Sequence, residues 1–358
     1  AAPTPARERI SAEIAYLLRD HAAASGHYES FLRLINATPA VEQPLPEDAG
    51  SLLPSKREGQ GEPVILASHW GNPEFLPYVL VQNALSNPGS RVILLGDSTN
   101  RYQGIEHYPL SDFLDMGQEF RDVYRNKSYN GYCYELFCFD RWFSYLQWME
   151  ENNINEAYIV DSDLMIFENL ANVREIFAEN QAFFCNSSGH FSFFTKNSLR
   201  NFCDYMIDIY RSSSHPLHNA EMIVDMSVIK FYQMTVPHTD LCQVWNGRFF
   251  DGNIQAPQDF AFHAGLKWIN FRPDPDGRLI PYGYHEPTGT DVRFCTLHFQ
   301  GGSKRWIQDA FGGRAVGSRP PPLKEGAPPA AKSIGDVFQQ EEAYFRSLAV
   351  RLEAQAAG

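Results

Sequence analysis

The chain lacks the features that mark several common classes of protein. Its six cysteines are scattered, with no Cys-x-x-Cys pair and no cluster with histidine, which argues against a zinc site. No apolar run reaches the length that spans a membrane, and no signal peptide is evident. Lys and Arg number 30 against 43 Asp and Glu, so the net charge is −13. Because a general nucleic-acid binder needs a basic face, that class of partner is excluded.

Apolar and aromatic residues, by contrast, are plentiful. The 358 residues are 44% hydrophobic and 14% aromatic, enough for one large domain or two modest ones with a deep core. The same aromatics would also suit a saccharide site. Several cysteines follow phenylalanines and are typical of small buried residues, so we expect free thiols and a cytoplasmic protein. A luminal or anchored parent whose anchor has been removed is the alternative.

Composition shifts divide the chain into four units. They are a helical hairpin with its linker (1–62), a main domain (63–311), a Pro-, Gly- and Ala-rich linker (312–332) and an amphipathic helix (333–358). In the hairpin, apolar residues recur at helical spacing and we expect a break at Gly26. The hairpin is expected to pack on the main domain through its apolar positions, which are Ile10, Ile14, Leu17 and Leu18 before the break and Phe31, Leu32, Leu34 and Ile35 after it. Homo-oligomerisation through the terminal helices is a second interpretation.

The main domain opens with a strand–helix–strand pattern. A buried strand at 64–67, a helix at 73–85 and a second strand at 91–95 make the unit that a parallel sheet requires. The predicted fold class is therefore α/β. Ligands in such sheets bind beyond the carboxyl ends of the strands, where Ser68, Asn72 and Asp97 lie. These three residues are candidate nucleotide contacts, although loop ends are polar in any protein.

An acidic pair in mid-chain is the most informative motif. Asp161 and Asp163 interrupt an apolar segment that runs as a buried strand up to Val160 and resumes at Leu164. Burying two carboxylates is costly unless their charge is compensated. A divalent cation such as Mg²⁺ or Mn²⁺ is the simplest compensation, because these ions prefer oxygen ligands. The alternative is a turn in which one aspartate caps the next element.

A second motif lies near the end of the main domain, at 297–306. His298 closes a short apolar strand, and the pair Gly301-Gly302 would let the backbone approach a ligand closely. Lys304 can deliver a point charge to a phosphate. A lone histidine after a strand is most often structural, but the combination with an upstream Asp-x-Asp is more specific.

Together the two motifs resemble a known group of enzymes. Asp161-Ser-Asp163 is similar to the Asp-x-Asp motif of metal-dependent glycosyltransferases of the GT-A fold. The segment from His298 to Trp306 resembles the His-Phe-x-Gly-x-x-Lys-Pro-Trp motif of glycosyltransferase family 8, with Arg305 in place of the proline. The resemblance covers residues 63–311. It implies a mostly parallel central sheet flanked by helices, and sugar transfer as the activity.

The resemblance also implies a metal and a diphosphate site. By that analogy Asp161, Asp163 and His298 would hold Mn²⁺ or Mg²⁺, and this ion would bridge the diphosphate of a nucleotide-sugar donor. Lys304 would contact the same diphosphate. UDP is the favoured nucleotide on this ground alone.

Three further residues match family positions around the donor sugar. Arg141 resembles an arginine at the diphosphate and sugar. Asn186 resembles an asparagine that contacts the sugar, with one extra residue before the following glycine. Asp225 resembles the acid of an Asp-Gln pair, with Met226 in place of the glutamine; the alternative is that Asp225 only caps or interrupts a helix. His190 and His263 are equally compatible with the core and with acceptor contacts.

The predicted function is transfer of a sugar to a hydroxyl acceptor with retention of configuration. An inverting enzyme would instead need a carboxylate base, for which the candidates are Asp225, Glu221, Asp251 and Asp259. A nucleotidyltransferase is a further alternative, but the loop at 68–72 lacks the Gly-rich basic character expected of it. A non-catalytic glycan-binding protein is the third alternative, and the presence of both acids together with His298 and Lys304 argues against it.

Overall fold

The computed structural model describes residues 3–37, 41–50, 52–53, 64–174, 182–185 and 188–317. The helices are α1 (Pro5–Leu17), α2 (His21–Ala37), α3 (Glu47–Gly50), α4 (Leu76–Ser86), α5 (Gln118–Val123), α6 (Tyr132–Glu151), α7 (Leu170–Arg174), α8 (Lys196–Arg211), α9 (Asp225–Gln233) and α10 (Ile307–Phe311). Short 3₁₀ segments lie at Leu110–Phe113, Asp115–Gly117 and Gly301–Trp306.

The strands fall into a larger and a smaller sheet. They are β1 (Val64–Ser68), β2 (Val92–Gly96), β3 (Glu106–Pro109), β4 (Glu156–Val160), β5 (Leu164–Ile166), β6 (Ala182–Cys185), β7 (Ser188–Thr195), β8 (Thr239–Asp240), β9 (Arg248–Phe250), β10 (Phe262–His263), β11 (Leu266–Lys267), β12 (Ile269–Pro273), β13 (Leu279–His285) and β14 (Thr290–His298). Among the described residues, β10 and β11 form a separate two-stranded sheet outside these two.

The larger sheet has the order β3-β2-β1-β4-β7-β6-β8. Neighbouring strands from β3 to β4 are parallel, β7 runs antiparallel to both of its neighbours, and β8 is parallel to β6. Alternate residues of β1 enter separate clusters on the two faces, Val64 and Leu66 on one and Ile65 and Ala67 on the other. Such two-sided burial explains the uninterrupted apolar run of this strand. The predicted α/β class, a mostly parallel sheet flanked by helices, is confirmed.

The smaller sheet is antiparallel except for β9, which runs parallel to β14, and it joins the larger sheet through the acidic motif. Its order is β12-β13-β14-β5, with β9 beside β14. The chain leaves the larger sheet at Val160, the end of β4, and enters the smaller sheet at Leu164, the start of β5. Asp161, Ser162 and Asp163 therefore form the corner between the two sheets.

The N-terminal hairpin differs from the prediction in two ways. The break lies between α1 and α2, where Arg19 takes a left-handed conformation with φ 62°, while Gly26 continues inside α2. The face of α1 that packs on the domain carries Ala12 and Ala15. The apolar residues expected there are exposed instead: Ile10, Ile14, Leu17 and Leu18.

Two other predictions about elements hold only in part. The apolar pattern of 220–231 predicts a helix that Asp225 interrupts, yet α9 begins at Asp225, where a carboxylate in the first turn is favoured by the helix dipole. The sequence of 232–296 predicts a loop-rich region with short strands; short strands are present, but β13 and β14 are longer than expected. Pro281 lies inside β13 and obscures its strand pattern.

Other predictions lie partly or wholly outside the described residues. The final helix at 333–358 and most of the linker at 312–332 are among these. So is the second half of the segment 172–180, whose sequence predicts a short helix. Of that linker, Val316 pairs with Ile269 beside the smaller sheet. None of the helices in the part of the chain that is described has both the length and the apolar character needed to cross a membrane.

Candidate active site

Strand pairing brings the two sequence motifs together. β5 and β14 are antiparallel, and their register sets Leu164 opposite His298. The backbone N–H of Phe299 donates to the carbonyl of Asp163 at 3.0 Å, and that of Asp161 donates to the carbonyl of His190 at 2.9 Å. The acidic corner and the end of β14 therefore meet because of sheet register, and not because of a flexible loop.

Asp161, Asp163 and His298 form a cluster suited to a divalent cation. One ligand atom from each lies within 4.8 Å of the others. Nδ1 of His298 is 2.8 Å from the carbonyl oxygen of Gly252, which can only accept, so Nδ1 carries the hydrogen. Nε2 is then left facing Asp163, 3.4 Å from its Oδ1. Two carboxylates and an oriented imidazole fit Mn²⁺ and, with more oxygen ligands from donor or solvent, Mg²⁺.

Positive groups compensate Asp163 in this arrangement. Nζ of Lys304 lies 3.0 Å from Oδ2 of Asp163, while His298 faces Oδ1. Burial alone would raise the pKa of Asp163, but hydrogen bonds and charge from these two partners hold that pKa well below its usual range. Burial alone would lower the pKa of His298, and Asp163 raises it to about 9. The negative charge that favours protonation of His298 would also attract a metal ion, which would replace the proton on Nε2.

A buried ion pair supports His298 from behind. Oδ2 of Asp251 accepts the backbone N–H of His298 at 2.9 Å, and Oδ1 lies 2.6 Å from Nζ of Lys267. Both side chains of the ion pair are fully enclosed. Lys267 also donates to the carbonyl of Asn253 at 2.7 Å and to Gln258 at 2.6 Å. Asp251, suggested above as a base for an inverting enzyme, is thus occupied in holding the end of β14.

Arg141 joins the acidic corner to α9. Its Nη1 lies 2.6 Å from Oδ1 of Asp161, and its Nη2 lies 3.3 Å from Oδ2 of Asp225. Burial raises the pKa of Asp225 to about 6, and Arg141 limits the increase. Three residues predicted from separate parts of the chain therefore meet here. Asn186, the remaining candidate for sugar contact, lies outside the described residues.

The three candidate nucleotide contacts lie at the carboxyl ends of β1 and β2, as predicted, and each already has a protein partner. Ser68 Oγ accepts from the Tyr145 hydroxyl at 2.7 Å, and the side-chain oxygen of Asn72 accepts from the Tyr102 hydroxyl. Asp97 accepts from the backbone N–H and the hydroxyl of Thr99 at 2.7 and 2.6 Å. These bonds order the loops at this edge. Contact with a nucleotide stays a prediction.

The glycine pair leaves backbone accessible beside Lys304. Gly301 has φ 58°, a left-handed value that favours glycine, and it begins the 3₁₀ segment that ends at Trp306. No atom lies within 4 Å of the place that a Cβ would occupy on Gly302. The open backbone next to a lysine is consistent with the predicted approach of a phosphate.

Sequence reasoning missed His69. Its Nδ1 lies 2.8 Å from the hydroxyl of Ser162, the residue between the two acids. Burial, and then the charge of Lys304, lower the pKa of His69 to about 4, so the ring is neutral at physiological pH. Its position one residue past β1, in the loop that already supplied Ser68 and Asn72, was the available signal. His190, left open between core and acceptor, is buried and stacks on His298 with ring centroids 4.3 Å apart.

Comparisons with known proteins add little to this geometry. Neither a protein-family model nor a curated protein matches the sequence. Among solved structures, an active-site mutant of LgtC aligns at TM-score 0.37 and 12% identity, over 70% of this chain and 95% of that one. The galactosyltransferase LgtC in complex with donor and acceptor sugar analogues aligns over the same shares at TM-score 0.35 and 10% identity. Likeness at this level carries no functional argument, so function has to be argued from the residues of the site.

Proposed function

We propose that the chain is a metal-dependent glycosyltransferase that moves a sugar from a nucleotide-diphosphate donor, with UDP as the favoured nucleotide, to a hydroxyl acceptor. One observation carries the proposal. Asp161, Asp163 and His298 converge within 4.8 Å of one another, and Lys304 lies against the same cluster. Negatively charged ligands beside an open cationic side chain are what a metal–diphosphate complex requires.

The residues on the Lys304 side would bind the diphosphate. The lysine side chain is about one-third exposed (37%), so it can turn from Asp163 toward a phosphate oxygen. The Gly301-Gly302 backbone beside it leaves room for that group. A divalent ion held by Asp161, Asp163 and His298 would, when bound, supply positive charge to the leaving diphosphate. His298 stays oriented throughout because Gly252 fixes its Nδ1 hydrogen.

The residues on the Arg141 side would bind the sugar. Arg141 positions Asp161 and Asp225 at once and adds a second cation near the developing charge. Asp225, whose pKa of about 6 leaves it mostly ionised near pH 7, can accept from a sugar hydroxyl. We propose retention of configuration, with the leaving diphosphate accepting the acceptor's proton. The enclosure of Asp251 and the pairing of Asp225 with Arg141 favour this course over a carboxylate base.

Nucleotide-dependent thermal stabilisation tests the proposal. The melting temperature is measured with UDP, GDP and their sugars, in Mn²⁺ and in EDTA. We expect one nucleotide to stabilise the protein only with the metal, and Asp163→Asn to abolish that shift. Asp276→Asn, at an exposed aspartate far from the cluster in sequence, serves as the matched control and should keep the shift. Absence of stabilisation by every nucleotide diphosphate in Mn²⁺ and in Mg²⁺ would overturn the proposal.

Stereochemistry is tested on the product. Transfer from an α-linked donor is followed by NMR of the anomeric proton of the new glycosidic linkage. Retention predicts an α-linked product. A β-linked product would establish inversion and would return Glu221 and Asp259 as candidates for the base.

A further inference from the structure

An exposed apolar rim lies on the Arg141 side of the site. It consists of Tyr129, Tyr134, Met222 and Met226, with 82, 54, 40 and 37% of their surface exposed. Exposed single apolar residues are ordinary, but two tyrosines and two methionines from two segments that pair with each other are not. The function proposed above assigns no role to any of them.

Contacts between the two segments hold the rim together. The backbone N–H of Ile223 donates to the carbonyl of Lys127 at 3.0 Å, which ties the segment of Met222 to that of Tyr129. Nζ of Lys127 donates to the carbonyl of His218 and ties them a second time. The rim is therefore a built surface and not two independent loops.

Its inner edge reaches the proposed sugar site. Tyr134 lies on α6 two turns before Arg141, so both side chains point along the same face of the helix. Met226 follows Asp225, and its backbone N–H donates to that carboxylate at 2.8 Å. Arg141 and Asp225 touch each other, so Tyr134 and Met226 flank the ion pair from α6 and α9. Lys304, the residue proposed to bind phosphate, lies in the 297–306 motif and not in the rim.

The charges near the rim disfavour an anionic ligand. Glu221 is exposed beside Met222, the half-buried Asp225 lies next to Met226, and the buried Glu135 lies next to Tyr134. Arg141 is already bound to two carboxylates, and Lys127 is bound to a backbone carbonyl. A phosphorylated or carboxylated molecule would meet acidic groups here. A neutral molecule with an apolar face would instead cover the tyrosine rings and the adaptable methionines.

We propose that the apolar rim is the acceptor subsite and that the acceptor is a neutral glycoside with an aryl or other apolar group next to the sugar that reacts. The inference rests on the proposed transferase function and names its acceptor class. The acceptor hydroxyl oxygen forms the new bond to the anomeric carbon of the donor sugar. The bond from that carbon to the β-phosphate oxygen breaks, and the acceptor's proton leaves with the diphosphate.

Acceptor kinetics with matched glycosides test the inference. The probes are p-nitrophenyl and methyl glycosides of the same sugars, glucose and galactose, each with UDP-glucose and UDP-galactose in Mn²⁺. We expect the KM of the p-nitrophenyl acceptor to be about tenfold lower, the value of one well-buried apolar contact. Tyr134→Ala and Met226→Ala should each remove most of this ratio. Tyr284→Ala and Met234→Ala replace exposed residues on other surfaces and should keep it.

The outcomes separate the inference from the function on which it rests. Transfer with equal KM for both glycosides, or a ratio unaffected by both rim variants, overturns the acceptor class and leaves the transferase standing. If no sugar is transferred or released from either donor, and no nucleotide stabilises the protein, both proposals fail. A dimer in sedimentation that Tyr134→Ala or Met226→Ala dissociates would show that a second copy covers the rim, and would also overturn the inference. Saturation-transfer NMR of the p-nitrophenyl ring gives a readout independent of turnover.

Discussion

Two sides of one acidic corner treat their carboxylates differently. On the lysine side, Asp163 faces both His298 and Lys304, and its pKa is held low although it is almost fully enclosed. On the arginine side, Asp225 is slightly more exposed, at 14% of its side chain against 10% for Asp163. Its cationic partner is Arg141, which it shares with Asp161, and its pKa rises to about 6. The contrast shows that burial does not decide the charge of an acid; the number and distance of its cationic partners do.

The two sides also differ in how they are supported. His298 is fixed by sheet register and by the enclosed Asp251–Lys267 pair behind it. Arg141 and Asp225 lie on α6 and α9, and the same two helices carry the exposed rim residues Tyr134 and Met226. This difference suggests that the rigid lysine side binds the diphosphate and the exposed arginine side binds the acceptor.

The largest effect should follow from breaking the support of the lysine side. Lys267→Met leaves Asp251 buried without its cation, which we expect to lower the free energy of unfolding by about 4 kcal/mol. Urea unfolding measures the change. Arg278→Met, which breaks an ion pair whose arginine is half exposed, should cost less than about 1 kcal/mol. A small loss for Lys267→Met would mean that His298 does not depend on this pair.

Removing the cation of the arginine side should mainly affect turnover. Arg141→Met removes the cationic partner of Asp161 and Asp225. It also removes a hydrogen-bond donor near the negative charge that develops on the leaving diphosphate, so kcat should fall on the order of 100- to 1,000-fold. Steady-state kinetics measure it. The control is Arg211→Met, at an exposed pair with Glu119. An unchanged kcat would remove Arg141 from the mechanism.

The pH dependence of stability should distinguish the sides as well. The pKa of Asp225 is raised in the folded protein, so the folded state prefers the protonated carboxyl. The free energy of unfolding should therefore decrease as the pH rises from about 4, the pKa of an unfolded aspartate, through about 6. Asp225→Asn mimics the protonated form. Below pH 4 the variant and the wild type should differ little, and at pH 8 in EDTA the variant should be more stable, on the order of 2 kcal/mol. Thermal melts at both pH values measure this, and a variant that is less stable at pH 8 contradicts it.

The smallest effect should come from the link between the two acids. Ser162→Ala removes the hydrogen bond to His69, worth about 1 kcal/mol, so donor affinity should fall less than tenfold. Isothermal titration with the stabilising nucleotide and Mn²⁺ measures it. Ser212→Ala, in an exposed pair with Ser214, should leave affinity unchanged. A loss beyond 100-fold would make Ser162 a direct ligand instead of a spacer.

Local patterns predicted the α/β class and a cation site at Asp161 and Asp163, because buried strands and charges inside an apolar segment are visible in the sequence. His298 was added to that site by the family resemblance, and the structure brings the three residues together. Sequence alone could not predict which face of α1 would pack, since Ile10 and Ala12 are both compatible with a core and tertiary contacts decided between them. Asp251 and Lys267 were missed as a pair for a related reason. Their role depends on strand register between distant segments, and neither residue stands out locally.

Within the site, the sequence identified residues that belong to a motif or match a family position, and it missed residues that belong to neither. Arg141 and Asp225 were predicted through a family resemblance, and the structure places them within 3.3 Å of each other. His69 was missed because its contribution is one hydrogen bond to a serine. The apolar rim left no motif, since Tyr134 and Met226 become neighbours of the site only when α6 and α9 pack.

The register that places Leu164 opposite His298 has a further consequence for folding. An ion held by Asp163 and His298 would tie two strands that are distant in sequence, so its binding energy would count directly toward pairing β5 with β14. Amide hydrogens such as that of Phe299 should then exchange more slowly with deuterium when Mn²⁺ is present. Amides in β1 and β2 should slow only as far as the ion stabilises the whole fold, so a larger slowing at the β5–β14 pairing would locate the ion without any assay of turnover.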